Sequence, residues 1–357
     1  MPFLASYLLD LNPGVFSLFG ILHVKWYGIA YLTGFFLGGL IFWRLGKKGR
    51  ILIPPQHAVD AILMLVFGVV IGGRLGYVLW YDQPLLWTFT SSFPYWNTLA
   101  IQKGGMSSHG GMAGVMIACF LVARGFKQED GTRIGRCPAF HVGDLACLGA
   151  TPGLFFGRLA NFINGELLGA IVAMPGEPAP RWAVKYPQEL LLPANHATPL
   201  TVDQTLRLNA IVESVKLPGE DEADTLARII SKIQHGSKDL AAQIEPLISA
   251  RHPSQLYQAA AEGILLGSLL WLIWARPQKP GIITAWFLVF YGILRIIVEQ
   301  YWRLPDPQLA NQYILGLSRG QGLSVLMIAA GVGLIIWATR RPARTFSWRF
   351  PPSEVVS

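Results

Sequence analysis

Seven long apolar stretches dominate this 357-residue sequence. Each approaches the roughly 20 apolar residues that an α-helix needs to cross the hydrocarbon core of a bilayer. Hydrophobic residues make up 52% of the chain and charged residues only 14%, which excludes an ordinary water-soluble globule of this length. The sequence therefore predicts an all-α integral membrane protein with seven transmembrane helices, near residues 28–44, 57–81, 108–124, 139–163, 255–274, 281–302 and 321–339.

Positive charges are distributed unevenly among the segments that connect these stretches. The segments after the first, third and fifth stretches and the C-terminal tail are basic, whereas the other short segments carry only Lys25, Lys103, Arg303 and Arg319. Because short cytoplasmic loops collect Lys and Arg, the pattern predicts an N-terminus outside and a C-terminus in the cytoplasm. The net charge of +8 then reflects topology and contact with anionic lipid headgroups, and it does not indicate a nucleic-acid partner. The N-terminal segment lacks the features of a signal peptide, so the first helix is predicted to be retained.

One segment departs from the apolar pattern. Residues 175–250 begin Pro-rich and continue as mixed polar sequence with helical spacing at 201–216 and 223–234. On the predicted topology this segment is a small extracytoplasmic insert. The predicted organisation is four transmembrane helices in 1–174, the polar insert in 175–250, three transmembrane helices in 251–340 and a cytoplasmic tail in 341–357.

Polar side chains within the predicted membrane region are concentrated near the outer ends of the helices. Tyr291, Arg295 and Glu299 are spaced by four residues and therefore share one helix face. Singly, each residue has an ordinary interpretation, because a terminal arginine can snorkel to the headgroups, Arg295 can pair with Glu299, and asparagines can join helices. Their gathering at one depth indicates a polar site towards the outer leaflet. The others in this group are Tyr27, Arg74, His109, Arg158, Asn161, Asn164 and Glu166.

Asp144 lies at the opposite depth, which favours a structural role for it. Two arginines near the outer surface indicate an anion, because a guanidinium binds phosphate through a planar pair of donors. A phospholipid headgroup is the anion expected at that depth. His109 could accept a proton from a nucleophile, since imidazole changes its charge near neutral pH. Glu166 and Glu299 are expected to hold the arginines in place or to act as alternative bases.

Four blocks of sequence follow one another between residues 104 and 310: GGMSSHGGMAGV, GRLANFINGELLG, HPSQLYQAAAEG and YGILRIIVEQYWRLPDPQLA. In these blocks and their order the chain resembles the bacterial prolipoprotein diacylglyceryl transferases. The resemblance implies transfer of the diacylglyceryl group of phosphatidylglycerol to the lipobox cysteine in prolipoprotein signal peptides, leaving a thioether and glycerol phosphate. It also implies a multi-pass protein of the bacterial inner membrane. Essential roles are implied for Tyr27, His109, Arg158, Asn161, Glu166, Gly169, Tyr291, Arg295 and Glu299, and Asp144 also matches a family position.

In the mechanism that we expect, Arg158 and Arg295 bind the phosphate and stabilise the leaving glycerol phosphate. His109 deprotonates the lipobox thiol, because the thiolate is the nucleophile; alternatively a glutamate is the base and His109 positions the substrate. Because the nucleophile belongs to the substrate, the chain's own cysteines are not expected to react. Neither a metal nor an organic cofactor is needed, and a monomer is expected. The substrate-binding residues are expected to be Tyr27, Arg74, Asn161, Asn164, Gly169 and Tyr291.

The sequence departs from the family pattern at two places. Ser108 stands before His109 where an aromatic residue is more usual, and the polar insert is longer than the resemblance leads us to expect. The main alternative is a phospholipid or solute transporter that uses the same polar cavity. It is disfavoured because the polar residues, apart from Asp144, stop short of the inner leaflet and no paired broken helices are evident. The absence of an HExxH motif, and of an obvious pair of aspartates in the membrane stretches, disfavours an intramembrane protease.

Overall fold

A computed structural model describes residues 6–18, 22–91, 94–101, 104–193, 197–303, 313–314 and 317–353. The described part of the chain is mostly helical. Seven apolar helices coincide with the seven predicted stretches: α1 (Trp26–Lys47), α2 (Ala58–Trp80), α3 (Ser108–Ala123), α4 (Ala139–Asn164), α8 (Ser254–Trp274), α9 (Ile282–Tyr301) and α10 (Arg319–Thr339). The predicted insert contributes α5 (Val202–Val215), α6 (Glu222–Gln234) and α7 (Lys238–Ile244).

Six of these helices, within the described residues, are long and apolar enough to cross a membrane. The third predicted stretch, 108–124, is the exception, because α3 has only 16 residues. At 1.5 Å per residue such a helix is about 24 Å long, shorter than a hydrocarbon core of about 30 Å. Gly105 and Gly125 adopt positive φ angles of 77° on either side of α3, a conformation that interrupts a helix. The prediction of seven spans is therefore not confirmed, and the described residues provide six.

Helices α2 and α3 pack together through glycines that both helices contribute to the contact. A Cβ atom at Gly114 would lie 1.9 Å from the carbonyl oxygen of Gly68, and one at Gly110 would lie 2.2 Å from that of Gly72. No side chain fits between backbones at such distances, so close contact requires glycine on both helices. This contact fixes the first turn of α3, which contains His109.

The short strands are β1 (Tyr7–Leu8), β2 (Gly14–Leu18), β3 (Leu22–Lys25), β4 (Phe126–Lys127), β5 (Arg133–Ile134), β6 (Ile171–Ala173), β7 (Val184–Lys185), β8 (Ala250–Arg251), β9 (Tyr313–Ile314) and β10 (Leu317–Ser318). Four of them form a mixed sheet in the order β1-β7-β8-β6, in which β1 is parallel to β7 and the other pairs are antiparallel. The remaining strands form three antiparallel pairs. The prediction of an all-α membrane protein is confirmed in that the described chain is mostly helical. The strands, most of which have two or three residues, are too short to show an alternating pattern in the sequence.

The chain forms two compact units, each assembled from separate segments. The first unit contains Met1–Thr33, Gly153–Leu266 and Phe290–Ile328, and the second contains Gly34–Pro152, Gly267–Val289 and Ala329–Ser357. Helices α2 and α3 belong wholly to the second unit, whereas the predicted insert belongs wholly to the first. The helices α1, α4, α8, α9 and α10 contribute residues to both units.

The predicted helices of the insert are confirmed and have a hydrophobic core of their own. Thr201 and Gln204 form a reciprocal capping box at the start of α5, and the Asp221 side chain accepts a hydrogen bond from the Asp224 amide at the start of α6. The apolar faces of the three helices meet at buried residues, so packing of these faces stabilises the insert. These buried residues are Val212, Leu226, Ile229, Ile233, Ile244 and Ile248.

Candidate active site

The first unit brings together nine of the residues predicted to form the site. They come from the start of α1, the end of α4 and the segment that follows it, and the second half of α9: Tyr27, Arg158, Asn161, Asn164, Glu166, Gly169, Tyr291, Arg295 and Glu299. The two other predicted site residues, Arg74 and His109, belong to the second unit. Within the described residues, no group of three or more His, Cys, Asp and Glu side chains is arranged to hold a metal ion.

Arg158 forms an ion pair with Glu262 of α8. The Nε and Nη2 atoms of Arg158 lie 3.0 Å and 2.9 Å from Glu262 Oε2. The Glu262 side chain is completely buried, and its second carboxylate oxygen has no hydrogen-bond partner within the described chain. Tyr291 also interacts with the Arg158 guanidinium. Arg158 keeps 15% of its side-chain surface exposed, so the guanidinium is anchored on one side and accessible on another.

Glu262 was not among the predicted site residues, although its sequence context contained a signal. It is a carboxylate inside the apolar stretch 255–274, and ionisable residues in membrane spans are functional by default. The α8 helix widens to π geometry at Ala259–Leu265, a distortion often found at functional sites. At Gly263 a Cβ atom would lie 2.5 Å from the Cβ of Phe155. The glycine therefore permits the close approach of α8 to α4 that brings Glu262 to Arg158.

Glu166 lies in a hydrogen-bonded group with three polar residues. Its Oε2 atom accepts hydrogen bonds from the Tyr27 hydroxyl and, at 3.3 Å, from Asn161 Nδ2, which also donates to that hydroxyl. Asn164 Nδ2 donates to Glu166 Oε1 at 3.3 Å. Glu166 was expected to hold an arginine or to act as a base, and the structure instead gives the arginine-holding role beside Arg158 to Glu262. The exposed Glu166 carboxylate is thus oriented by neutral donors.

Arg295 and Glu299 form the predicted pair on one face of α9. Arg295 Nη2 lies 3.9 Å from Glu299 Oε2, and 24% of the Arg295 side chain is exposed. The Ser318 hydroxyl donates to Glu299 Oε1. A Cβ atom at Gly320 would lie 2.7 Å from Glu299 Oε2, so this glycine makes room for the carboxylate. Glu299 is held more firmly than Arg295, which retains donors for another partner.

The segment after α4 has an irregular backbone that is held by the start of α8. Gly165 and Leu167 adopt positive φ angles of 66° and 57°, and such a conformation is strained for leucine. Gln255 Nε2 donates to the Glu166 carbonyl at 2.5 Å, and the Ser254 hydroxyl donates to the Leu167 carbonyl at 3.0 Å. Two of the sequence blocks, GRLANFINGELLG and HPSQLYQAAAEG, are therefore joined by hydrogen bonds that orient Glu166.

A buried ion pair supports the same segment from the sheet. Arg251 Nε lies 2.7 Å from Glu189 Oε2, and both side chains are buried. Arg251 Nη1 donates to the Gly169 carbonyl at 3.1 Å, and Arg251 Nη2 donates to the Thr198 hydroxyl at 2.8 Å. Glu189 also accepts from the amide and hydroxyl of Ser249. With these hydrogen bonds the buried charges are satisfied, as burial of an ion pair requires.

Gly169 lies between two other backbone segments. It pairs with Arg303 as an isolated antiparallel bridge, and the neighbouring Ala170 amide donates to the Trp302 carbonyl at 3.0 Å. A Cβ atom at Gly169 would lie 2.0 Å from the His252 carbonyl oxygen. The predicted importance of Gly169 is therefore explained by backbone packing. The residue that it pairs with, Arg303, was taken from the sequence only as a cation of a connecting segment, yet it is buried, with 8% of its surface exposed.

Arg74 in the second unit donates its hydrogen bonds to backbone carbonyls. Nε donates to Thr98 at 2.7 Å, Nη2 to Asn97 at 2.6 Å, and Nη1 to Gly104 and Gly105 at 2.6 Å and 3.0 Å. These contacts differ from the substrate contact that was expected for Arg74. They fix residues 97–105, the segment before α3, and so help to define where α3 begins.

His109 lies exposed in the first turn of α3. The helix starts at a cap in which the Ser107 side chain accepts a hydrogen bond from the Gly110 amide at 3.2 Å. The structural interpretation of Asp144 is supported, because its carboxylate accepts hydrogen bonds from the amides of Gly281 and Thr284 and from the Thr284 hydroxyl at 2.7–2.8 Å. Asp144 thus satisfies free amides at the start of α9.

The chain is similar to known proteins over nearly its whole length. A family model described as prolipoprotein diacylglyceryl transferase matches residues 13–337. A phosphatidylglycerol–prolipoprotein diacylglyceryl transferase of Bdellovibrio bacteriovorus is 35% identical, over 95% of this chain and 96% of that protein. Proteins of the same name from Ruegeria pomeroyi and Enterobacter sp. (strain 638) are 34% and 33% identical, over 94% and 95% of this chain and 97% of each relative. The similarity therefore includes residues of both units.

Proposed function

Because this chain belongs to the prolipoprotein diacylglyceryl transferase family, we propose that it transfers the diacylglyceryl group of phosphatidylglycerol to the thiol of a prolipoprotein's lipobox cysteine. The products are a thioether-linked prolipoprotein and glycerol phosphate. The observation that carries the proposal is the arrangement in the first unit, where Arg158 and Arg295 are each anchored by a carboxylate and each remain partly exposed. Such anchored guanidiniums suit a lipid phosphate.

The reaction requires the sulfur of the lipobox cysteine to attack the glycerol carbon that bears the phosphate ester. A C–S bond forms as the C–O bond to phosphate breaks, and glycerol phosphate leaves with the bonding electron pair. Negative charge therefore builds up on the phosphate oxygens. Arg158 and Arg295 stabilise that charge, and their carboxylate partners keep the donors oriented before the reaction begins.

The thiol proton must pass to a base, since the thiolate is the reactive form. We propose His109 as this base, since imidazole changes its charge near neutral pH. Glu166 is the alternative base, supported by its exposed carboxylate and by the hydrogen bonds from Tyr27 and Asn161 that orient it. Tyr27, Asn161, Asn164 and Tyr291 then bind the headgroup, Gly169 keeps the backbone after α4 in place, and Arg74 fixes the segment before α3.

Purified protein incubated with phosphatidylglycerol and a lipobox peptide tests this activity. The peptide should gain the mass of one diacylglyceryl group, and one equivalent of glycerol phosphate should be released. A peptide with serine in place of the lipobox cysteine is the matched control and should gain no mass. Unmodified peptide together with protein-dependent movement of lipid or solute across vesicles would contradict the proposal and favour a transporter.

We further propose that the protein is a monomeric enzyme of the bacterial inner membrane whose site opens towards the outer leaflet. The uneven distribution of Lys and Arg supports this orientation. Both Arg50 and Arg136 lie in basic segments, so we propose that the short helix α3 also crosses the membrane, as a seventh span. A reporter fused after either residue should therefore give a cytoplasmic signal. A reporter inserted near Gly219, in the turn between α5 and α6, should be active only in the periplasm. A cytoplasmic signal from the Gly219 fusion would contradict the proposed orientation.

A further inference from the structure

Arg303 is a buried arginine without a neutralising carboxylate in the described part of the chain. It follows the end of α9 by two residues, and 8% of its surface is exposed. Within the described residues, its buried Nη1 atom has no hydrogen-bond partner and no ion pair involves its side chain. A buried cation with an unused donor is unfavourable unless an anion is bound beside it.

The charges around Arg303 do not balance. The Arg158 charge is compensated by Glu262, and the Arg295 charge is compensated by Glu299. Glu166, the third carboxylate of the site, is exposed and hydrogen-bonded to Tyr27 and the asparagines. Among the residues that the structure describes, three guanidiniums thus share the region with two buried carboxylates, which leaves one positive charge.

Arg303 is close enough to Arg158 and Arg295 for their positive charges to affect its pKa. Burial, together with the positive charges of Arg295 and Arg158, lowers the pKa of Arg303 to about 10, so it remains protonated at neutral pH. The bridge between Gly169 and Arg303 fixes the Arg303 backbone, and the donor is therefore positioned before any ligand arrives. A ligand with a single negative charge and several oxygen acceptors would satisfy both the charge and the free donor.

We propose that Arg303 binds the phosphodiester of phosphatidylglycerol, and that it supplies the uncompensated positive charge that Arg158 and Arg295 do not. This inference rests on the proposed function, because it names a further residue for the same substrate. In the reaction Arg303 takes no proton and forms no covalent bond. It donates to a phosphate oxygen, and that contact strengthens as charge moves onto the leaving glycerol phosphate.

The decisive variant is Arg303→Met, which removes the charge and keeps much of the side-chain volume. In the absence of lipid it should unfold at the same temperature as wild type or higher, since an unpaired buried charge has been replaced by an apolar group. Its affinity for phosphatidylglycerol should fall at least tenfold. Affinity for diacylglycerol, which has the same acyl chains and no phosphate, should not change. Arg303→Lys keeps the charge and should bind phosphatidylglycerol more tightly than Arg303→Met.

The matched control is Arg207→Met, because Arg207 is exposed on α5 and pairs only with Asp203 at 2.9 Å. It should bind both lipids as wild type does. Wild-type affinity of Arg303→Met for phosphatidylglycerol would overturn the inference, as would an equal loss of affinity for both lipids, which would indicate a structural role. If Arg303→Met does not fold, Arg303→Lys decides: equal loss for both lipids overturns the inference, and a loss confined to phosphatidylglycerol supports it. Lipid binding is measured without the peptide, so failure of transfer by wild type would refute the proposed function separately.

Discussion

Arg158→Lys should lower the turnover of diacylglyceryl transfer about a hundredfold or more, which corresponds to about 3 kcal/mol of transition-state stabilisation. Arg158 places Nε and Nη2 on Glu262 and retains further donors for the phosphate. A lysine ammonium keeps the charge but lacks the planar set of donors, so it cannot serve both partners with the same geometry. Because the charge on Glu262 stays compensated, the variant should still fold.

Transfer to the lipobox peptide measures this effect, with thermal unfolding as the check on folding. Arg295→Lys should behave similarly, since Arg295 lies at the longer distance of 3.9 Å from Glu299 and its donors are less committed. Arg207→Lys on the exposed face of α5 is the control for a loss unrelated to the site. Turnover near that of wild type in both site variants would mean that Arg158 and Arg295 are only structural ion pairs.

Gly169→Ala should abolish measurable transfer and also reduce stability. The new Cβ would lie 2.0 Å from the His252 carbonyl oxygen and 2.9 Å from that of Trp302. Both atoms belong to the backbone, so no flexible side chain can move away to relieve the contact. Overpacking of this kind commonly costs about 1–3 kcal/mol. The forced shift would also displace Arg303 and the segment that carries Glu166.

Gly157→Ala provides a matched control in the same unit. Gly157 lies within α4, and a Cβ atom there would meet no other heavy atom within 4 Å. Alanine is favoured over glycine inside a helix by about 0.5–1 kcal/mol, so this variant should be as stable as wild type or slightly more stable. Retained transfer by Gly169→Ala, measured beside Gly157→Ala, would show that the close packing at Gly169 is not required.

The sequence was sufficient for the positions of the helices, because apolar length and composition determine which segments can enter a membrane. It was also sufficient for the grouping of Tyr27, Arg158, Asn161 and Arg295, since they lie at corresponding ends of their helices. The bounds of the third predicted stretch, 108–124, agree with α3 within one residue. Whether α3 spans the membrane is not confirmed, because a helix of 16 residues is shorter than the hydrocarbon core.

The partners within the site could not be derived from the sequence. Whether Glu166 or Glu262 would pair with Arg158 depends on the approach of α8 to α4 at Gly263 and on the widened turn of α8, and neither is visible in hydrophobic periodicity. Arg303 was missed because its position after the end of an apolar stretch suggested an ordinary connecting segment. The structure shows it to be buried, with its backbone paired to Gly169.

The hydrogen bonds around Arg251 divide the predicted insert into two parts, one that supports the site and one whose length can vary more freely. Thr198 and Ser249, whose hydroxyl oxygens lie 3.4 Å apart, stand before and after the segment that contains α5, α6 and α7. The residues before Thr198 include Glu189, which belongs to the support of the site. The two ends of the helical segment thus lie close together, and the segment has a hydrophobic core. Doubling the length of a flexible loop costs only about 0.6 kcal/mol in closure entropy. The core of these helices also packs against Leu190, next to Glu189. Extra residues at the turn between α5 and α6 should therefore leave Arg251 and Gly169 in place, whereas removal of α6 would uncover the segment that carries Glu189.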